Sequence, residues 1–233
     1  MTRRAALAAN LAAVRSRIDA ACAAADRDPA EVTLVAVTKT HPASDVALLA
    51  ELGVTDVGEN RHPEAQHKHR DVAESAPDLV WHFLGAVQTN KASQIARYAD
   101  VVHSVDRPKL VTALARGAEL ADRRLDCLVQ VDFDTTDPGR AGVAPADVAA
   151  LADLIAGHDT LRLRGVMTVA PLGVDPVPVF EHLQQISLAL RERHPDATVI
   201  SAGMSEDADA AIARGATHVR IGRALLGERP PLK

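Results

Sequence analysis

A chain of 233 residues, 47% of them hydrophobic, can bury the core of one large domain. Aromatic residues are only 2%, so Ala, Val, Leu and Ile must fill that core. A formal net charge of -5 argues against a general nucleic-acid or membrane-surface role, and no apolar stretch reaches transmembrane length.

Met1-Thr2-Arg3-Arg4-Ala5 resembles a signal n-region only superficially, because Arg15, Arg17 and Asp19 interrupt the part that would have to be apolar. Leu7, Leu11, Val14 and Ile18 recur at helical spacing instead, which predicts an amphipathic surface helix. The next segment, Val32 to Thr38, is apolar, β-branched and bounded, and reads as a buried strand. Lys39 stands at its exit, and Pro42 opens a helix three residues later. A lysine at such an exit is partly desolvated. Desolvation lowers an amine's pKa, and a neutral amine can attack an aldehyde. The alternative is a lysine that snorkels to the rim of a sheet.

Gly58-Glu59-Asn60 follows the second strand, where Asn60 either bonds a ligand hydroxyl or caps the next helix. His62, His67 and His69 lie in a charged helical segment with Lys68 and Arg70. Their spacing does not put three nitrogens on one helix face, so the segment reads as a solvated surface with no metal site. Trp81-His82-Phe83-Leu84-Gly85 alternates as a strand does, and His82 reads as a satisfied core histidine. Cys22, late in the first helix, and Cys127, in the strand around 125–132, read as small core residues with free thiols. Pro138-Gly139 and Pro171-Leu172-Gly173 read as loops.

Strand-like runs near 32–38, 54–58, 79–84, 100–104, 125–132, 161–168, 198–201 and 217–221 alternate with stretches suited to helices at 43–52, 91–98, 107–121, 145–156, 177–192 and 206–214. About eight β/α units after one extra N-terminal helix fit a (β/α)₈ TIM barrel, which typically needs roughly 250 residues. A doubly wound open sheet is the alternative, but no Gly-x-Gly-x-x-Gly follows any strand. The strand exits of a barrel converge on one rim, where barrel proteins place their ligands. After the seventh strand that rim carries Ser201, Gly203 and Ser205, and after the eighth it carries Gly222; glycine backbone and serine hydroxyls suit an anion such as phosphate. Glu206 and Asp207 fall in the first turn of the next helix and complement its dipole, so the loop backbone is the expected cradle; helix capping by Ser205 is the alternative. Arg220, on the last strand, is a permanent cation near the barrel core and needs a partner, either a salt bridge or a ligand's ring nitrogen.

Taken together, Ala36-Val37-Thr38-Lys39-Thr40, Gly58-Glu59-Asn60, Trp81-His82-Phe83-Leu84-Gly85 with Gln88-Thr89-Asn90-Lys91, Ser104-Val105-Asp106-Arg107, Arg164-Gly165-Val166-Met167, Ser201-Ala202-Gly203-Met204-Ser205 and Val219-Arg220-Ile221-Gly222 lie in order over nearly the whole chain. In these stretches the chain resembles the pyridoxal-phosphate homeostasis proteins, which share the barrel of the alanine racemase N-terminal domain. The resemblance implies a single barrel domain over 1–233 that binds pyridoxal 5′-phosphate as an aldimine, a Schiff base, on Lys39. It implies that Arg220 faces the pyridine nitrogen and that Asn60 lies beside the cofactor. The phosphate would sit among Ser201, Gly203, Ser205 and the backbone around Gly222. Arg223 replaces a usual threonine, Arg61 a frequent aromatic and Ala202 a frequent methionine.

The implied role is intracellular cofactor homeostasis without catalytic turnover, in a cytoplasmic monomer that transiently meets pyridoxal-phosphate-dependent apoenzymes. Racemisation needs acid–base groups on both faces of the substrate, and the sole tyrosine, Tyr98, precedes strand four, away from the rim. A weak or narrow amino-acid racemase is the alternative, and a cofactor-free barrel that binds a phosphorylated metabolite is a third reading.

Overall fold

The computed structural model describes residues 2–134 and 139–228; Pro138 of the expected Pro138-Gly139 loop lies outside them. Eight parallel strands close into a barrel in chain order: β1 (Thr33–Val37), β2 (Asp56–Glu59), β3 (Val80–Phe83), β4 (Val101–Val105), β5 (Leu125–Gln130), β6 (Leu161–Met167), β7 (Val199–Ser201) and β8 (His218–Ile221). β8 pairs back onto β1 through Thr33 with His218 and Val35 with Arg220. Helix α1 (Arg3–Ala24) precedes the barrel, and α2 (Ala43–Glu51), α3 (His62–Val72), α4 (Ala92–Ile95), α5 (Pro108–Leu120), α6 (Val148–Ala156), α7 (Val177–Arg193), α8 (Ala208–Ile212) and α9 (Arg223–Leu226) follow the successive strands. The (β/α)₈ expectation holds, including the extra N-terminal helix.

Helix α1 starts where Thr2 caps it, its side chain accepting from the Ala5 N–H. Leu7, Leu11, Val14 and Ile18 form its buried stripe, packed with Ala36, Val57, Trp81, Val219 and Ile221 from the outer face of the sheet. A second apolar cluster lies outside β4–β7, around Val102, Cys127, Val129, Val166 and Ile200. Cys22 and Cys127 are buried free thiols, as expected, and burial pushes the Cys127 thiol well up.

Strand alternation sends the outward residues into those clusters and the intervening ones into the barrel. Along β8 the outward pair is Val219 and Ile221, and the inward pair is His218 and Arg220. His82 on β3 and His103 on β4 face inward as well. Nε2 of His82 lies 2.9 Å from Oδ1 of Asp56, and its Nδ1 lies 2.8 Å from Nε2 of His103. The His103 Nδ1 lies 2.9 Å from Oγ of Ser201. His82 is thus the satisfied core histidine expected. A polar line thus crosses the interior beside apolar side chains such as Val35 and Leu84, which meet at Gly58, whereas branched apolar layers alone are usual.

Strand β6 carries an irregularity: Cys127 pairs with Leu163 but Leu128 pairs with Gly165, so Arg164 is an extra residue. Gly165 takes φ +147°, and a Cβ there would lie 1.9 Å from the Val199 carbonyl oxygen of β7. Gly165→Ala is therefore expected to lose at least about 3 kcal/mol in chemical denaturation, because strand backbone must move. Gly157→Ala, with φ -76° and nothing nearer than 3.4 Å, is expected to stay within about 0.5 kcal/mol of the parent.

Burial holds His103 well below its usual range and pushes His218 down to about 4. Between pH 6.5 and that value the unfolded chain binds more protons than the folded one, so stability falls as pH falls. Urea titrations at pH 7, 5.5 and 4.5 should show this loss, with the His218 share on the order of 3 kcal/mol. His218→Gln should flatten the slope. An unchanged slope, or a gain in stability on acidification, would contradict a neutral interior histidine.

Candidate functional site

The C-terminal ends of the strands surround a cavity of about 580 Å³, within the range of small-molecule sites. Lys39, Asn60, Ser205, Arg220 and Gly222 all line it. The chain therefore brings residues from the exits of β1, β2, β7 and β8 to one place.

Lys39 is half-buried in the turn after β1. The residues on both sides of it are pinned. The Thr38 N–H donates to the Gly58 carbonyl at 3.0 Å, and its hydroxyl donates to Oε1 of Glu59 at 2.6 Å. Thr40 takes φ +69°, an uncommon conformation for a β-branched residue, and its N–H donates to the Glu64 carboxylate. Nζ of Lys68 sits 2.7 Å from each of Glu59 Oε1, Glu64 Oε1 and the Thr38 carbonyl. This buried ion pair ties β1, β2 and α3 behind Lys39. Burial raises the Glu59 carboxyl above its ordinary range despite the ammonium beside it. Removing one partner of such a pair typically costs about 3–5 kcal/mol.

The solvated reading of the α3 segment is thus corrected. His67 and Arg70 are exposed, but Lys68 is 5% exposed and holds the turn that carries Lys39. His69 meets the Trp81 ring edge-on at 5.3 Å, and His62 stacks on Tyr98 at 5.9 Å. The Glu64–Lys68 spacing of four on a helix was the available signal. Tyr98 is buried in this outer layer, its hydroxyl 3.4 Å from Nδ1 of His62, and burial raises its pKa.

Asn60 does not cap α3. Arg61 occupies the cap position without a side-chain bond, and Oδ1 of Asn60 is buried with no partner. The β3 exit packs directly beneath, where a Cβ on Gly85 would lie 2.1 Å from the Asn60 carbonyl oxygen. Ser104 of β4 fixes that layer by donating to the Gly85 carbonyl at 2.6 Å. A carboxamide held this way, with an unmet acceptor beside the cavity, suits a ligand hydroxyl.

Arg220 is 5% exposed. Its Nη1 donates to Oγ of Ser201 and its Nη2 to the Thr168 carbonyl, each at 2.8 Å. Among the described residues it makes no ion pair. Burial pushes it down to about 10, with Asp207 pulling the other way, so it remains a cation at neutral pH. A guanidinium with spare N–H groups in the cavity wall fits a neutral ring nitrogen as acceptor.

The phosphate expectation is revised in part. Ser201 and Gly203 do not line the cavity. The Ser201 hydroxyl is engaged by Arg220 and His103. Gly203 takes φ +88°, and a Cβ there would lie 2.8 Å from the Cβ of Ala211, so close packing on α8 demands the glycine. Asp207 is the cap position of α8, not its first turn, and its Oδ1 accepts the Met204 N–H at 2.6 Å. Ser205 is therefore not the cap; its carbonyl accepts from Arg17 of α1, and the residue lines the cavity with Gly222. Arg223 pairs with Glu206 at 2.7 Å, both largely exposed at the mouth; such a surface pair is worth at most about 1 kcal/mol and does not bar Arg223 from an anion. Leu172 and Val174, exposed apolar residues, complete the lip with Met204.

A lysine, an unmet carboxamide and a buried guanidinium around one cavity fit a ring bearing an aldehyde, a hydroxyl and an acceptor nitrogen. Comparison with known proteins agrees. The family model for the alanine racemase N-terminal domain matches residues 5–230. The pyridoxal phosphate homeostasis protein of Corynebacterium glutamicum is 42% identical over 224 residues, covering 93% of this chain and 99% of that protein. Its Escherichia coli K12 counterpart, of the same name, is 39% identical over 229 residues, covering 96% and 97%. Among solved structures, PipY of Synechococcus elongatus PCC7942 with PLP bound is 34% identical, with a TM-score of 0.83 over 95% of this chain and 100% of that one. The chain belongs to the alanine racemase N-terminal domain family, among the pyridoxal phosphate homeostasis proteins.

Proposed function

We propose that this chain holds pyridoxal 5′-phosphate and serves in its homeostasis as a carrier, not as a catalyst. The observation that carries the reading is the meeting of Lys39, Asn60 and Arg220 in one cavity whose buried guanidinium has no carboxylate partner among the described residues. The cofactor supplies an aldehyde carbon that an amine attacks and a pyridine ring that can draw electrons when its nitrogen is protonated. Lys39 is the amine in this reading. Asn60 bonds the ring hydroxyl, and Ser205 with the backbone around Gly222 faces the phosphate. Ser201 and Gly203 act from behind, one through Arg220 and the other by seating the loop on α8.

The choice of carrier over catalyst rests on two features. Arg220 is a donor without a proton to spare at neutral pH, so it keeps a ring nitrogen unprotonated. The only tyrosine lies in the outer layer against His62, so nothing of that kind faces Lys39 across the cavity. Exposed Leu172 and Val174 beside the mouth support transient contact with pyridoxal-phosphate-dependent apoenzymes. Two buried free thiols suit a reducing cytoplasm, and the reading needs only one copy of the chain.

Intact-mass measurement before and after borohydride tests this directly. The protein incubated with pyridoxal phosphate should gain one cofactor per chain irreversibly after reduction, on the peptide that carries Lys39. Lys39→Arg should abolish both the mass gain and the visible absorbance. Labelling spread over other lysines, or none at all, would overturn the reading.

A further inference from the structure

The four inward contacts described above form one continuous line through the barrel. It runs from Arg220 under the cavity to Ser201 on β7, His103 on β4, His82 on β3 and Asp56 at the start of β2. The links measure 2.8, 2.9, 2.8 and 2.9 Å. His82, His103, Ser201 and Arg220 are all 5% exposed or less. Asp56 ends the line at the opposite face of the barrel, where it lines a second cavity.

Each end of the line fixes the sense of its bonds. Arg220 can only donate, so the Ser201 oxygen accepts from it. At the far end Asp56 takes hydrogen bonds from Thr55 at 2.6 Å and from Nε2 of His82 at 2.9 Å; against burial, these bonds together with neighbouring histidine charge hold its carboxyl below its usual value. Asp56 is therefore an acceptor, and Nε2 of His82 donates to it. With one proton on each imidazole, Nδ1 of His82 accepts from Nε2–H of His103, and Nδ1 of His103 accepts from the Ser201 hydroxyl. Every donor then points from the cation to the anion, and no ring nitrogen on the line is left without a partner. The opposite sense, with His82 protonated on both nitrogens, would set two interior cations against one carboxylate, which low dielectric opposes. The other groups facing the line do not relieve that opposition. His218, its ring 6.0 Å from that of His82, is pushed down to about 4 by burial, with His82, Arg164 and Arg220 acting in the same direction and Asp56 opposing them.

We propose that Asp56, His82, His103 and Ser201 form a one-way hydrogen-bond relay that positions the Arg220 guanidinium toward the cavity, anchored at its far end on the Asp56 carboxylate. The three residues beyond Ser201 do not line the cavity, so they are positioning residues. The relay deepens the carrier reading and rests on it only for what Arg220 faces. It matches the absence of an Arg220 ion pair among the described residues. A carboxylate in direct contact would compete for the N–H groups that line the cavity, whereas Asp207 acts on Arg220 without bonding it and the relay ends on Asp56, which leaves those groups available.

Imidazole and guanidinium ¹⁵N NMR on the cofactor-free protein tests the relay. At pH 7.5 His103 should carry its proton on Nε2 with Nδ1 bare, and the Nε2–H of His82 should show the hydrogen bond to Asp56. Asp56→Ala should redistribute the His103 proton between its nitrogens and raise hydrogen exchange at the Arg220 guanidinium at least tenfold. Asp56→Asn keeps an acceptor oxygen for His82 and should restore the parent tautomers. Ser201→Ala should free Arg220 while leaving His82 as it was, which keeps the test alive if Asp56→Ala does not fold. Nδ1-protonated His103 in the parent, or parental Arg220 exchange in Ser201→Ala, would overturn the relay. A protein that gave the expected tautomers but took up no pyridoxal phosphate would sink the carrier reading alone.

Discussion

A permanent cation sits beneath the cavity with only neutral oxygens in contact. Arg220 bonds the Ser201 hydroxyl, which His103 also engages, and the Thr168 backbone carbonyl. A buried guanidinium without a carboxylate beside it is costly to desolvate. The charge of Asp207 offsets part of that cost, and the line of polar residues ending on Asp56 fixes the hydroxyl that Arg220 bonds. What remains in the cavity wall is a set of donors suited to a neutral acceptor. Arg220 bears on the chemistry of the site, together with the position of Tyr98 in the outer layer against His62. A carboxylate there would favour a protonated pyridine and carbanion chemistry, and a guanidinium favours quiet retention.

The interior can carry a polar line because most of the apolar packing lies elsewhere. Two clusters between sheet and helices hold the fold, filled by Ala, Val, Leu and Ile as the sparse aromatics required. The same outward packing serves the other half of the site. Lys68 reaches inward from α3 to the turn after β1, and its two carboxylates come from β2 and α3. Lys39 is thereby held by backbone neighbours that cannot easily move. The loop after β7 is similarly seated, by Arg17 of α1 on one side and the close approach of Gly203 to α8 on the other.

Much of this was legible in the chain. β-branched runs separated by helix-length stretches marked all eight strands, and Lys39, Asn60 and Arg220 stood out as polar groups at strand exits or inside a strand. The alternation His218-Val219-Arg220-Ile221 already carried the inward polar face, since the same period places Trp81 and Phe83 outward around His82. Asp56 and His103 were not legible, because their meaning comes from register between strands that are distant in sequence. Lys68 was misread as surface because its segment is rich in charge; only the partners on β2 and the preceding turn reveal its burial. Asn60 and Ser205 looked like helix caps because their types favour that role, yet α3 begins two residues after Asn60 and Asp207 takes the cap of α8. The helices expected over 91–98 and 206–214 are shorter, since Tyr98 folds into the outer layer and Asp207 ties back to Met204.

The central claim is that Arg220 keeps the nitrogen of the bound ring bare. Pyridoxal phosphate labelled with ¹⁵N at the ring, loaded on the protein and followed by NMR from pH 6 to 9, reports that nitrogen directly. The account predicts the chemical shift of an unprotonated pyridine throughout, moving only when Arg220 is replaced. A protonated-pyridine shift in the parent protein, or one indifferent to Arg220→Ala, would contradict it.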